Sequence, residues 1–120
     1  MTITITKDRI IKDIQKEFNL EYPFLKIEFF KKGYQMKRSV YKETGLSKEM
    51  MVGLNKLGSS LEGLQITGNM TVKELERKCE EVLGLSVQVY RKSGNLWLET
   101  TMTDNWTLNQ QNESGRQISQ

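Results

Sequence analysis

Few side chains in this sequence could do covalent chemistry. Its 120 residues contain no histidine, so the commonest general base and metal ligand is missing. Cys79 is the single thiol. It falls on the apolar stripe of a predicted helix, where cysteine serves as a small hydrophobe, and nothing near it in sequence would lower its pKa. Glu99 and Asp104 follow a predicted hairpin, but two carboxylates without further oxygen ligands make a poor cation site. Asp104 reads instead as a turn residue bonding nearby backbone amides. Neither a Walker loop nor a dinucleotide-binding glycine string occurs. The residues therefore predict no catalytic group, no metal site and no cofactor.

What remains is a set of aromatic and basic residues. Phe30, Tyr90 and Trp97 would share one sheet face if both helices cover the aliphatic one, with Lys26, Lys32, Arg91 and Lys92 near them or at the strand ends. Rings among basic groups on an open sheet face can stack unpaired bases, or can form an interface with another protein. The candidate binding residues are Phe30, Tyr90, Trp97, Arg91 and Lys92. The RNP1 string of RNA-recognition motifs is absent, which argues against that module. In the competing reading, Trp106, Leu108 and the C-terminal helix fold back and cover the aromatic face. The pairs Lys31/Lys32 and Lys37/Arg38 read as solvated loop charge, because no helix N-terminus or glycine nest accompanies them.

The element that must position these rings is the stretch 84–100, GLSVQVYRKSGNLWLET. Leu85, Val87 and Val89 alternate with Ser86, Gln88 and Tyr90, the period of a strand with two unlike faces. A turn at Ser93-Gly94 would pair Tyr90 with Trp97, Val89 with Leu98 and Gln88 with Glu99. Val87, Val89 and Leu98 then share one face; Gln88, Tyr90, Trp97 and Glu99 share the other.

Upstream, Thr2 to Thr6 alternates as a strand, with Thr6 as N-cap of a helix over 7–19 whose stripe is Ile10, Ile11, Ile14 and Phe18. Pro23 blocks further helix, and Phe24 to Lys31 is the next strand. Residues 33–60 form a lysine-rich loop or linker punctuated by glycines, with a short amphipathic helix possible from Ser47. Gly63 to Thr67 is a strand. Thr71 to Glu74 is a capping box with Met70 and Leu75 as a hydrophobic staple, and it opens a helix that buries Val72, Leu75, Cys79, Val82 and Leu83 and ends at Gly84. Thr107 to Gln110 is a second capping box, before a short helix stopped by Gly115 and a frayed tail at 117–120. The order predicts one α+β domain over 1–120: a two-layer, ferredoxin-like βαβ-βαβ sandwich with both helices on one sheet face, plus a C-terminal strand and short helix.

Composition bounds the function class. At 120 residues the chain can bury roughly two-thirds of its unfolded surface, enough for a core without staples. A lone cysteine fits a reducing compartment, and no apolar run could span a bilayer, so a cytoplasmic protein is expected. The net charge of +3 hides an asymmetry. Residues 1–60 carry twelve Lys/Arg against seven Asp/Glu, and 61–120 carry six against eight. That excess can steer an anionic partner but lacks the density of a dedicated nucleic-acid binder.

The segment 71–115, TVKELERKCEEVLGLSVQVYRKSGNLWLETTMTDNWTLNQQNESG, with EFNLEYPFLKIEFFKKG upstream, resembles a family of small uncharacterised proteins from Bacteroidetes-type bacteria. The resemblance implies a class of protein and no mechanism, so no residue role is carried over from it. The expected function is that of a small non-catalytic interaction module, binding a protein partner or a second copy of itself. The alternative is weak binding of single-stranded nucleic acid through the aromatic and basic residues.

Overall fold

The computed structural model describes residues 2–6, 8–31 and 63–119. The predictions for Lys32 and for the 33–60 loop lie outside these residues. In chain order the elements are β1 (Ile3–Ile5), α1 (Ile11–Glu21), β2 (Leu25–Lys31), β3 (Leu64–Ile66), α2 (Val72–Lys78), β4 (Leu85–Ser93), β5 (Leu96–Glu99) and α3 (Leu108–Ser119). A π-helical turn, Cys79–Leu83, continues α2, and a 3₁₀ turn, Thr101–Thr103, follows β5.

The fold is α+β, with its strands divided between two antiparallel sheets. One sheet pairs β1 with β3, setting Ile3 opposite Ile66 and Ile5 opposite Leu64. The other has the order β2-β4-β5, with Ile27 opposite Val89 and Lys26 opposite Tyr90. The sequence pattern predicts one continuous ferredoxin-like sheet. Among the described residues, each strand of the first βαβ unit bonds instead to its counterpart in the second, and the two pairs do not join into one ladder.

One hydrophobic core lies on a single face of the larger sheet. Its strand members are Leu25, Ile27 and Phe29 of β2 and Leu85, Val87 and Val89 of β4, all odd-numbered and so all on the same side. Facing them are Ile11, Ile14 and Phe18 of α1, Val72 and Leu75 of α2, Cys79 of the π turn, and Leu108 of α3. Burying each valine contributes about 1.5–3 kcal/mol, so a one-residue slip of β4 would forfeit several such terms at once. The predicted sorting of faces therefore holds, although the hairpin register differs from expectation. The turn is Gly94-Asn95, closing Ser93 against Leu96, and it places Lys92 opposite Trp97 and Tyr90 opposite Glu99. Gly94 takes φ 61°, the conformation required at the first turn position when the second residue keeps φ negative. The displacement along β5 is two residues, which preserves every side chain's face.

Helix ends follow local chemistry in three cases and depart from it in two. The Thr71 hydroxyl accepts from the Glu74 amide at 3.1 Å, and the Glu74 carboxylate accepts from the Thr71 amide at 3.1 Å. Thr107 and Gln110 form the second box in the same way, at 3.1 and 2.8 Å. Gly84 closes the π turn at φ 67°. Thr6, however, is not a cap: its hydroxyl donates to Asp8, and α1 starts after Ile10 with no side-chain cap. Gly115 does not end α3, which continues to Ser119. A Cβ on Gly115 would stand 2.8 Å from the Phe24 Cβ and 3.1 Å from the Arg91 Cγ. The glycine thus lets the helix approach the sheet closely. The 117–120 stretch is likewise no frayed tail up to Ser119, whose hydroxyl donates to the Lys92 carbonyl and accepts from the Gly94 amide, each at 3.1 Å.

Candidate functional site

The face of the larger sheet opposite the core carries Lys26, Glu28 and Phe30 from β2, Ser86, Gln88, Tyr90 and Lys92 from β4, and Trp97 and Glu99 from β5. Pairing brings three of these into contact distance of one another. Because Lys26 lies opposite Tyr90, its Nζ sits 5.1 Å from the Tyr90 ring centroid and 5.2 Å from that of Trp97. The Lys92 Nζ lies 5.9 Å from the Trp97 ring, directly across the hairpin. All four residues are half-buried. An ammonium within about 6 Å of a ring centroid is attracted to the π face by about 0.5–1 kcal/mol at such exposed sites. Two rings capped by two ammonium groups thus form a partly apolar platform, with Glu28 and Glu99 on the same face.

The sequence-predicted residues divide over this geometry. Tyr90, Trp97 and Lys92 are brought together. Phe30 shares the face, but it is buried and stands opposite Ser86, four residues along from the Lys26–Tyr90 pair. Arg91 points to the opposite face, as its odd position requires. There its Nη1 donates to the Gln111 side-chain Oε1 at 2.8 Å, and its guanidinium lies 5.6 Å from the Trp106 ring. Its Nε is buried with no hydrogen-bond partner among the described residues. Lys26 is the member that the candidate list omits. Its signal was available: a lysine of the right parity on the strand that pairs with Tyr90.

The helix expected to cover the aromatic face lies elsewhere. Gly115 packs on Arg91 and Phe24, Leu108 joins the core, and Trp106 stacks on Arg91, so α3 belongs to the core side of the sheet. Gln111, completely buried, anchors it by donating to the Thr103 carbonyl at 2.7 Å and to the Thr103 hydroxyl at 2.9 Å.

Two titratable groups stand apart from the platform. The Cys79 thiol is enclosed in the core, and burial, reinforced by the charges of Glu76 and Glu80, holds its pKa well above the ordinary thiol value. It is a protonated packing group. Glu76, on the next turn, is pushed up to about 7 by burial, with Asp104 and then Glu80 adding like charge. Asp104 reaches this position because its carbonyl accepts from the Lys73 amide at the start of α2. Among the described residues no group of three or more acidic or cysteine side chains could hold a metal ion, and no helix is long and apolar enough to cross a membrane.

No protein-family model, curated protein or solved structure matches the chain.

Proposed function

We propose that the protein is a non-catalytic interaction module and that its working surface is the Lys26–Tyr90–Trp97–Lys92 platform. The observation that carries this reading is the stacking of Lys26 on both rings, at 5.1 and 5.2 Å, at the half-buried end of a face whose other end, with Phe30, Ser86 and Gln88, is buried. Ring edges and aliphatic lysine stems offer apolar contact, while the ammonium groups select an acidic surface. Aromatic residues at the centre of a patch with a polar rim are the usual composition of a protein-binding site. A nucleobase would have to displace Lys26 from both rings before stacking on them, which favours a protein partner over single-stranded nucleic acid.

The test uses Trp106→Phe, which leaves Trp97 as the one remaining tryptophan. A glutamate-rich peptide should change Trp97 emission in a saturable, salt-sensitive manner, and Lys26→Glu with Lys92→Glu should abolish the change. A response to oligothymidylate but not to the peptide would transfer the site to nucleic acid. No response to either would remove the platform as a binding surface.

A further inference from the structure

The two edges of the larger sheet are treated differently. The β2 edge is guarded by α1: the Gln15 side-chain amide donates to the Ile27 carbonyl at 2.9 Å, and that of Asn19 donates to the Leu25 carbonyl at 2.9 Å. No described strand pairs with the outer edge of β5, and no described side chain donates to its carbonyls. Because the two-residue turn makes Ser93 and Leu96 a hydrogen-bonded pair, the ladder alternates from there. The N–H and C=O groups of Trp97 and Glu99 therefore point outward. On the core side of this bare edge Leu96 is 66% exposed and Leu98 42% exposed. An unguarded apolar edge of this kind is a template for another strand.

The geometry points to a second copy of this chain as that strand, added antiparallel with Leu98 on the two-fold axis. The inference rests on reading the protein as an interaction module, and it names the partner. The edge is self-complementary in this register. Trp97 faces the partner's Glu99, Glu99 faces the partner's Trp97, and the outward groups of both residues become hydrogen-bonded pairs at about 5.5 Å between Cα atoms. Leu98 meets the partner's Leu98, which withdraws the exposed leucines from water.

Charge completes the match. Glu99 is exposed and enters no ion pair among the described residues. Across the axis its carboxylate arrives beside the partner's Trp97, whose ring carries both Lys26 and Lys92. Each copy thus adds a carboxylate on the far side of the other's Trp97 from Lys92. Two β4 strands would then lie about 14 Å apart, which leaves room for both α3 helices on the core side.

Sedimentation equilibrium of the full chain over micromolar to millimolar concentrations tests this. The mass should rise from 14.0 kDa toward twice that value. Leu98→Lys puts like charges face to face across the axis and should hold the chain at monomer mass. Glu99→Lys and Lys92→Glu should each weaken association by about tenfold or more, the scale of replacing an ion pair with like charges. The double variant reverses both charges and should regain the wild-type constant. A monomer throughout, a Leu98→Lys variant that dimerises unchanged, or a double variant no better than the singles would overturn edge pairing. A strictly monomeric chain that still responds to the glutamate-rich peptide removes the dimer and keeps the platform; a dimer indifferent to the peptide does the reverse.

Discussion

Gly115→Ala sets two effects of opposite sign against each other. In an exposed helix interior alanine is favoured over glycine by about 1 kcal/mol, so helix propensity alone predicts a more stable protein. Docking of α3 predicts the reverse. The new methyl would stand 2.8 Å from the Phe24 Cβ, 3.1 Å from the Arg91 Cγ and 3.2 Å from the Phe24 carbonyl oxygen. Two of these three atoms cannot move by rotamer change. The Phe24 carbonyl is further tied down by the Lys92 amide at 2.9 Å, and the Phe24 amide by the Asn112 side chain at 2.9 Å. The helix itself must retreat, loosening the Arg91–Gln111 bond and the Ser119 contacts with the hairpin. Overpacking of this kind costs about 1–3 kcal/mol, occasionally more; the 2.8 Å contact with the Phe24 Cβ puts this case at the upper end, about 2–3 kcal/mol, which exceeds the propensity gain by about 1–2 kcal/mol. For a chain of this length that is a fall in Tm of about 4–8 °C, measurable by calorimetry or by circular dichroism. A Gly115→Ala protein that melts at or above the wild-type temperature would refute the close approach of α3 to the sheet.

Thr71→Ala removes the reciprocal bonds with Glu74 at the start of a short helix and should cost about 1 kcal/mol, read from chemical denaturation. Glu76→Gln addresses the raised carboxyl. Its folded pKa of about 7 exceeds the ordinary 4.5, so the folded state prefers the protonated form. That stabilising preference is complete below pH 4.5 and is lost as pH rises through 7. Glutamine should flatten this slope and stabilise the protein at pH 8 by about 1 kcal/mol, allowing for solvent screening of a half-buried group; denaturation midpoints at pH 5 and pH 8 give the comparison. Gln111→Leu keeps volume but strips the bonds to Thr103 and Arg91. It should destabilise by about 1–3 kcal/mol, because an arginine and a carbonyl lose their buried partner.

The parts of this fold that could be read from sequence are those decided within a few residues. Both capping boxes are local hydrogen-bond exchanges over three positions, and both form. The alternation of β4 and β2 fixes their faces, and the core follows it. Features decided by distant contacts could not be read in the same way. Gly115 resembles a helix stop because propensity cannot distinguish a terminator from a residue that must lack a side chain beneath Phe24 and Arg91. The turn was ambiguous between Ser93-Gly94 and Gly94-Asn95, since either supplies a glycine. Thr6 had a competing acceptor in Asp8 two residues on, which delays the start of α1. The separation of the strands into two sheets depends on which strands meet, and periodicity carries no information on that. At the site, alternation along β4 together with the hairpin pairing set Tyr90, Trp97 and Lys92 together and Arg91 apart. Treating every basic residue near the rings as one cluster concealed that division and passed over Lys26.

The platform is the face that meets a partner, while the opposite face of the sheet stays closed over the core. Mapping chemical-shift changes on addition of the glutamate-rich peptide tests this directly. The predicted result is perturbation of the Lys26, Tyr90, Lys92 and Trp97 side-chain signals, with Ile27, Val89 and Leu108 unaffected. Perturbation centred on Arg91, Trp106 and α3, with the platform unchanged, would contradict it.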